Sequence, residues 1–306
     1  AGYFTAMTGK WHLKGEPTDR GFMRYFGHLS GATSFFRGDQ TFRLNGEPWS
    51  DFGEGFYTTD ANIDYGIEFL EEARATGKPF FLYIAHNAPH YPLHAWPEDI
   101  DKYRGRFKVG WDVIRQQRFE RMKKMGIIGP HHRLTPREST AWDELSEAQQ
   151  DAEDLKMAVY CAMIDRVDQN LGRVFKKVRE LGDWDNTLVL FLTDNGACPE
   201  QPNTTPNIPP GPVESYRTVS VGWANASNTP YRKFKSTDYE GAVRYAISLG
   251  GDADTMGCIA GGIAQASYGS VPAPIAGEIR TRLPDGFLDV LDRFERGYEV
   301  EQPLAE

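Results

Sequence analysis

Two lysines and two histidines of this chain have side chains that could act together on a small anion. Lys10 and His12 stand two residues apart, so on an extended segment their side chains would face the same way. A lysine supplies a positive point charge for an oxyanion, and a histidine can transfer a proton near neutral pH. His90 follows an apolar run, and Lys235 lies in a basic stretch. Taken singly, such residues are more often structural or solvated, so the anion site is a hypothesis that needs all four.

Two other clusters have the oxygen-bearing side chains that hard cations prefer. Asp194 and Asn195 place a carboxylate beside an amide oxygen, which suits Ca²⁺ or Mg²⁺, although the same pair before a glycine is also a common polar turn. Asp252, Asp254 and Thr255 put two carboxylates and a hydroxyl on one glycine-rich stretch, which suits a hard cation as well. A simpler interpretation of this second cluster is an aspartate that caps a helix.

Two helix-then-strand units are expected to position these residues. Apolar residues recur at helical spacing over residues 59–75 and over residues 155–181, and a glycine follows each segment. Thr59 can cap the first helix. Residues 79–85 and 187–193 are continuous apolar runs, which are typical of strands buried on both faces of a sheet. This repeated order predicts a layered α/β fold.

The order of the elements also predicts where a ligand would bind. In layered α/β folds, ligands lie just past the carboxyl ends of the strands. Residues 85–90 and 194–196 follow the two predicted strands and are therefore expected on the same rim. Residues 104–144 show no clean period and are expected to be helical pieces and loop. Residues 198–230 are rich in Pro, Asn, Ser and Gly, so a long loop is expected there.

Composition argues against several classes of function. The formal net charge of the 306 residues is −9, which argues against a nucleic-acid partner because phosphates require a basic surface. No apolar run has the length of a membrane span, so no membrane partner is expected. The three cysteines are too few and too scattered for a disulfide framework or a zinc site. The chain begins at Ala1 rather than at Met, and we expect it to be a fragment.

Four segments together resemble type I sulfatases, in the order that the family shows. Residues 2–13 are similar to the second signature of that family, and residues 79–92 resemble its strand-and-histidine segment. Residues 188–196 are similar to its metal-binding segment, and residues 227–241 resemble its substrate-lysine segment. The resemblance covers about residues 1–241. It implies an alkaline-phosphatase-like layered sheet with flanking helices, here incomplete, and a small sulfated substrate.

The resemblance implies roles for the matching metal ligands and lysines. Asp194 and Asn195 would ligate Ca²⁺. Lys10 and Lys235 would neutralise the sulfate oxygens and stabilise the charge that develops on them.

It also implies roles for two histidines and a nucleophile that they serve. His90 would bind sulfate and protonate the leaving alcohol, and His12 would take a proton from a formylglycine hydrate. Sulfatases make formylglycine from a Cys or Ser in a Cys/Ser-x-Pro-x-Arg string, and no Cys or Ser of these 306 residues stands in that context. We expect this string before Ala1, together with an acidic pair that completes the metal site. Turnover by the chain alone is therefore not expected.

The C-terminal part resembles a different family. Residues 238–294 are similar to the last part of ADP-ribosylglycohydrolases, including a helix of small residues. In that family Asp252, Asp254 and Thr255 would match Mg²⁺ ligands. The N-terminal metal ligands and the helical body of that family have no counterpart in this chain, so a fusion of two truncated genes is the preferred explanation.

Two domains and three candidate functions follow as expectations. Residues 1–241 are expected to form a sulfatase-like catalytic domain that lacks its N-terminal part, and residues 242–306 a short α-helical, ADP-ribosylglycohydrolase-like fragment. The first function is hydrolysis of a sulfate ester of an aryl or carbohydrate substrate. The alternatives are a magnesium-dependent ADP-ribosyl hydrolase and a non-catalytic remnant of a gene fusion. The sulfatase resemblance suggests a periplasmic or secreted protein.

Overall fold

A five-stranded sheet organises the part of the chain that the computed structural model describes, which is residues 2–193, 195–232 and 235. Its strands are β1 Phe4–Lys10, β2 Arg24–His28, β3 Phe42–Leu44, β4 Glu47–Pro48 and β5 Phe80–Ala85. They lie in the order β4-β3-β2-β1-β5. β1 pairs in parallel with β2 and with β5, whereas β3 and β4 extend the sheet in antiparallel fashion. The parallel pairing brings the carboxyl ends of β1, β2 and β5 to one edge of the sheet.

Five α-helices accompany the sheet in the described residues. They are α1 Thr58–Thr76, α2 Pro97–Asp101, α3 Trp111–Lys124, α4 Glu147–Glu180 and α5 Val221–Ser227. Short 3-10 helices occur at Pro17–Arg20, Trp142–Glu144 and Trp184–Asn186. Helices packed on a mixed sheet with a parallel centre confirm the predicted layered α/β fold.

The first predicted helix, residues 59–75, is confirmed as α1, but its predicted cap is wrong. The N-cap residue is Tyr57, and Thr59 is the second residue inside the helix, where its side chain is buried. The helix ends at Gly77, which has a φ of 69°. Glycine tolerates this left-handed conformation without a Cβ penalty, so the predicted end is correct.

The second predicted helix, residues 155–181, is confirmed as α4, which begins eight residues earlier. Ser146 caps it: the Ser146 hydroxyl accepts a hydrogen bond from the Gln149 amide, and the Gln149 side chain accepts one from the Ser146 amide at 2.8 Å. This reciprocal pair is a capping box, which satisfies two backbone donors at the start of a helix. The first turns are polar, so apolar periodicity does not detect them.

α1 joins the sheet to α4. One side of α1 packs on the sheet, where the buried side chains are Phe4, Ala6, Phe26, Phe42, Phe69 and Ala73. Toward α4, Asp60 accepts two hydrogen bonds from Arg166, at 2.8 and 2.6 Å, and Glu71 accepts one from Lys177 at 2.7 Å. The paired geometry of the Arg166–Asp60 bridge fixes how the two helices lie against each other.

Three tryptophans connect the remaining helices. Trp111 of α3 and Trp223 of α5 lie edge to face with ring centroids 5.5 Å apart, and Trp142 packs against both. Such aromatic contacts contribute about 0.5–1.5 kcal/mol each beyond the area that they bury. The cluster anchors α5, and α5 is followed directly by Asn228, whose side chain contributes to the site described below.

Close backbone contact between β1 and its two neighbours requires glycine. A Cβ added to Gly9 would lie 2.0 Å from the carbonyl oxygen of Ala85, and a Cβ added to Gly27 would lie 1.9 Å from the carbonyl oxygen of Gly9. Both glycines also have positive φ, 102° and 150°. No side chain fits at either position, so these two residues set the spacing at the carboxyl edge of the sheet.

The prediction of a strand over residues 79–85 is confirmed as β5, but its burial on both faces is wrong. Phe81 and Tyr83 are 52% and 48% exposed, whereas the alternate residues Phe80, Leu82 and Ile84 pack toward α1 and α4. β5 is the last strand of the sheet in the described residues, so it has a partner on one side and a helix layer on one face.

The prediction of a buried strand over residues 187–193 is wrong. This segment has no regular secondary structure, and its apolar side chains are exposed, with Leu188 and Phe191 at 83% and 81%. A buried strand requires neighbours on both edges and a layer over each face. The described residues supply none of these around it.

The expectation for residues 104–144 is correct, whereas that for residues 198–230 is only partly correct. Residues 104–144 contain α3 and a 3-10 helix among loops, which confirms the predicted helical pieces, and the predicted long loop over residues 198–230 is interrupted by α5. No helix among the described residues has the length and apolar character to cross a membrane. The predicted features of residues 236–306 lie outside the described residues.

Candidate functional site

Two neighbouring parallel strands bring the first site residues to one edge of the sheet. Lys10 is the last residue of β1, and its predecessor Gly9 lies opposite Ala85, the last residue of β5. The segment that contains His90 therefore leaves the sheet beside Lys10. This is the rim that the strand order predicts for a ligand.

His12 lies just past β1, in a conformation that the sequence did not suggest. Its φ is 57°, so the backbone turns at this residue and the expected extended segment from Lys10 to His12 is wrong. The two side chains nevertheless remain near each other. The pKa of His12 is lowered first by burial and then by the positive charges of Lys10 and Lys235. A left-handed conformation at a residue other than glycine costs free energy and is common at functional sites.

His90 is held in one tautomer by its neighbour. Its Nδ1 lies 2.8 Å from the carbonyl oxygen of Tyr91. A carbonyl oxygen can only accept, so Nδ1 carries the hydrogen and Nε2 carries the lone pair. Nε2 lies 3.3 Å from Nζ of Lys235 and accepts a hydrogen bond from that ammonium group. His90 and Lys235 are 145 residues apart in the chain and in contact in the fold.

The charge on His90 is suppressed by its surroundings. The pKa of His90 is lowered to about 4, first by burial and then by the positive charges of Lys10 and Lys235. The carboxylate of Glu200 and the hydrogen bond to Tyr91 act in the opposite direction. His90 is therefore neutral at pH 7 in the absence of an anion.

The Lys235 and Asn195 segments lie side by side. The Lys235 amide donates to the carbonyl oxygen of Ala197 at 3.1 Å, and the Ala197 amide donates to the side-chain oxygen of Asn228 at 3.2 Å. Asn195 is thus two residues from a backbone contact of Lys235. Its neighbour Asp194 lies outside the described residues.

Asn195 supplies one oxygen donor for a divalent cation, and the described residues around it do not complete a ligand shell. An Asp–Asn pair has the oxygen ligands that Ca²⁺ takes. Asn195 is exposed, and the described residues contain no group of three or more His, Cys, Asp or Glu side chains that could hold a metal ion. Asp252, Asp254 and Thr255, the predicted Mg²⁺ ligands, lie outside the described residues.

Several residues near the site were not identified from the sequence. Asn87 is 4% exposed, and neither atom of its side-chain amide has a hydrogen-bond partner among the described residues. His86 is likewise without a partner there on either ring nitrogen. Tyr91 and Glu200 are joined by a hydrogen bond of 2.6 Å. Only the position of Asn87 at the end of a strand signals a role, since the Tyr91–Glu200 contact depends on the fold.

Replacing Gly31 by alanine is expected to displace the ring of His12 without unfolding the protein. The added Cβ would lie 2.7 Å from Nε2 of His12, whose ring is only partly buried and can move into solvent. The free energy of unfolding should change by no more than about 0.5 kcal/mol. The pKa of His12 should rise, because the ring leaves its partly buried place beside Lys10 and Lys235. A pH titration of the imidazole signals by NMR measures this shift.

The matched control for this change is Gly53→Ala. Gly53 is exposed, and its added Cβ would meet no atom closer than 3.9 Å. It should leave the His12 titration as in the unchanged protein. An unaltered His12 pKa in Gly31→Ala would contradict the contact between Gly31 and the ring.

Comparison with known proteins relates this chain to a family. The family profile described as Sulfatase matches residues 1–245. An arylsulfatase of Klebsiella aerogenes is 34% identical over 287 residues, which covers 82% of this chain and 60% of the relative. An uncharacterised sulfatase of Schizosaccharomyces pombe is 32% identical over 280 residues, covering 80% and 50%. An N-acetylglucosamine-6-O-sulfatase of Bacteroides thetaiotaomicron is 31% identical over 246 residues, covering 64% and 42%.

These matches bear on two expectations. The chain spans about half the length of the curated relatives that it matches. The family profile supports the predicted alkaline-phosphatase-like sulfatase fold. Neither the profile nor these relatives support the predicted ADP-ribosylglycohydrolase part, and its Mg²⁺ site stays a prediction without support.

Proposed function

The chain belongs to the sulfatase family, and from this premise we propose that it supplies the anion-binding side of a site that hydrolyses a sulfate ester. The substrate class is a small aryl or carbohydrate sulfate ester. An arylsulfatase and a sugar sulfatase among the relatives support this choice.

The observation that carries the proposal is the contact between Lys235 and His90. The ammonium group of Lys235 lies 3.3 Å from an imidazole nitrogen of His90. Each group gives up part of its hydration to make this contact. Lys10 is near enough to both His12 and His90 to lower their pKa values. Two lysine cations beside two imidazoles form a positive cradle, which suits a tetrahedral anion.

The same geometry suggests how His90 gains the proton that a leaving alcohol needs. With no anion present, Nε2 accepts from Lys235 and the ring is neutral. A sulfate ester in the cradle would take over the Lys235 hydrogen bond and add negative charge beside the ring. Both changes raise the pKa of His90, because they favour the charged imidazolium. His90 can then hold a proton at Nε2 and donate it to the ester oxygen as the bond to sulfur breaks.

Calcium and the covalent nucleophile complete the proposal. We place Ca²⁺ at Asp194 and Asn195, where it would supply positive charge to the sulfate oxygens. His12 would remove a proton from the formylglycine hydrate. Because no Cys/Ser-x-Pro-x-Arg string occurs in the 306 residues, the chain alone should bind sulfate but release none from an ester.

An NMR titration of the 306-residue chain with sulfate tests the binding step. The His90 signals should shift, and the pKa of His90 should rise above its starting value of about 4. His94 is the internal control, because its ring is buried and its Nε2 is hydrogen-bonded to the Ser215 carbonyl at 2.7 Å. A His90 signal that does not respond to sulfate at any concentration that the protein tolerates would overturn the proposed anion site.

Two further measurements test the rest of the proposal. An aryl sulfate mixed with the chain should release sulfate at the rate of a blank without protein, and faster release would refute the proposed inertness. Calorimetric titration with Ca²⁺ should detect binding that Asn195→Ala weakens. Equal heats for both proteins would remove Asn195 from the metal site.

A further inference from the structure

Tyr91 touches His90 in two different ways. Its carbonyl oxygen accepts the hydrogen on Nδ1 of His90, and its ring lies 4.2 Å from the His90 ring, centroid to centroid, tilted by 41°. The first contact selects the tautomer, and the second limits rotation of the imidazole. Tyr91 therefore controls which nitrogen of His90 faces Lys235.

Glu200 in turn fixes Tyr91. The Tyr91 hydroxyl donates to a carboxylate oxygen of Glu200 at 2.6 Å, between residues 109 apart in the chain. This distance is typical of a strong charge-assisted hydrogen bond. Burial raises the pKa of Tyr91, and the bond to Glu200 raises it further, so the hydroxyl stays protonated and remains a donor. Tyr216 packs against the edge of Tyr91, with ring centroids 6.0 Å apart.

The charged groups that face His90 come from three parts of the chain. Lys10 at the end of β1 and Lys235 are positive and lower its pKa, whereas Glu200 is negative and raises it. Among the described residues that shift the pKa of His90, Glu200 is the one that carries a carboxylate. It also interacts with Cys198, which lies between it and the Asn195 segment. Glu200 therefore connects the loop that follows Asn195 with the imidazole ring of His90.

We propose that Glu200 is a positioning residue that acts through Tyr91 to hold His90 in the tautomer with hydrogen on Nδ1. Without the Glu200 bond, the Tyr91 side chain can rotate and its ring no longer limits rotation of the His90 imidazole, so Nδ1 can leave the Tyr91 carbonyl. In the other tautomer, the hydrogen on Nε2 would point at the Lys235 ammonium group. Two donors that face each other repel, so the His90 ring would also turn away from Lys235. His90 would lose the orientation in which Nε2 meets an anion.

The experiment is nitrogen-15 NMR of the histidine rings in the sulfate-free chain at neutral pH, which separates the two tautomers. The unchanged protein should show His90 with hydrogen on Nδ1. Tyr91→Phe keeps the ring and removes the hydroxyl, and it should lower the ratio of the Nδ1–H to the Nε2–H form at least tenfold. Glu200→Gln keeps an acceptor and removes the charge, so it should lower this ratio less and also lower the pKa of His90.

Tyr216→Phe is the matched control, because it removes a neighbouring hydroxyl and leaves the Tyr91–Glu200 bond in place. It should not change the His90 tautomer ratio. The His94 signals report whether each variant is folded. A His90 ratio that stays the same in both Tyr91→Phe and Glu200→Gln overturns the inference, and Glu200→Gln alone decides it if Tyr91→Phe does not fold.

The inference concerns the imidazole of the proposed function, but its test uses no sulfate. Failure of the proposed function would appear as an absent response of His90 to sulfate, with the tautomer still set by Tyr91. Failure of the inference would appear as an unchanged tautomer in a chain that still binds sulfate. The two results are therefore distinguishable.

Discussion

Gly27→Ala is expected to destabilise the fold by about 4 kcal/mol or more, which is among the largest effects of single substitutions. The new Cβ would lie 1.9 Å from the carbonyl oxygen of Gly9 and 2.7 Å from its carbonyl carbon. Both atoms belong to the backbone of β1, so no side chain can move aside, and the β1–β2 ladder must separate locally. Gly27 also has a φ of 150°, which a residue with a Cβ rarely adopts. Urea unfolding followed by circular dichroism measures the loss.

Gly172→Ala is the matched control for this substitution. Gly172 lies within α4, and no atom lies within 4 Å of its added Cβ. Alanine has the higher helix propensity, so this variant should gain about 0.5–1 kcal/mol. A Gly27→Ala protein with the urea midpoint of the unchanged chain would show that β1 and β2 are not packed as closely as described.

Much of the helical framework could be predicted because it follows from local patterns. The apolar period over residues 155–181 identified α4, and a glycine marked the end of each long helix. The start of α4 was missed because residues 147–154 are polar and α4 begins from a capping box. That signal, Ser146 with Gln149 three residues later, is also local and was available in the sequence.

Burial of strands could not be predicted in the same way. The apolar run at 187–193 looks as suitable for a buried strand as the run that became β5. Whether such a run is covered depends on which other segments pair with it, and this is a property of the whole fold. The same reasoning explains the exposed face of β5, since an apolar run does not reveal how many neighbours a strand has.

The residues proposed to contact the anion could be predicted from the sequence, but the residues that hold them in place could not. Strand ends and the family resemblance indicated Lys10, His90 and Lys235, which the structure brings to one rim. Glu200 was not indicated because its effect passes through a contact between residues 109 apart. Gly31 was missed for the same reason: its importance lies in the space that it leaves for the ring of His12.

Lys235→Met is expected to weaken sulfate binding about 10- to 100-fold, the range that corresponds to the loss of one hydrogen bond from a charged donor. Methionine keeps an unbranched side chain of similar length and removes the ammonium group that lies 3.3 Å from Nε2 of His90. The pKa of His90 should rise at the same time, because Lys235 is one of the cations that lower it. Calorimetry gives the affinity, and NMR gives the pKa.

Lys14→Met separates this local effect from a general loss of positive charge. Lys14 is exposed on the bend after His12, and its removal changes the net charge by the same amount. Sulfate affinity and the His90 pKa should both stay close to those of the unchanged chain, since exposed charges are screened by solvent and salt. Equal affinities for the Lys235→Met and Lys14→Met proteins would mean that the anion is attracted by overall charge. In that case the ammonium group beside His90 has no special part in binding.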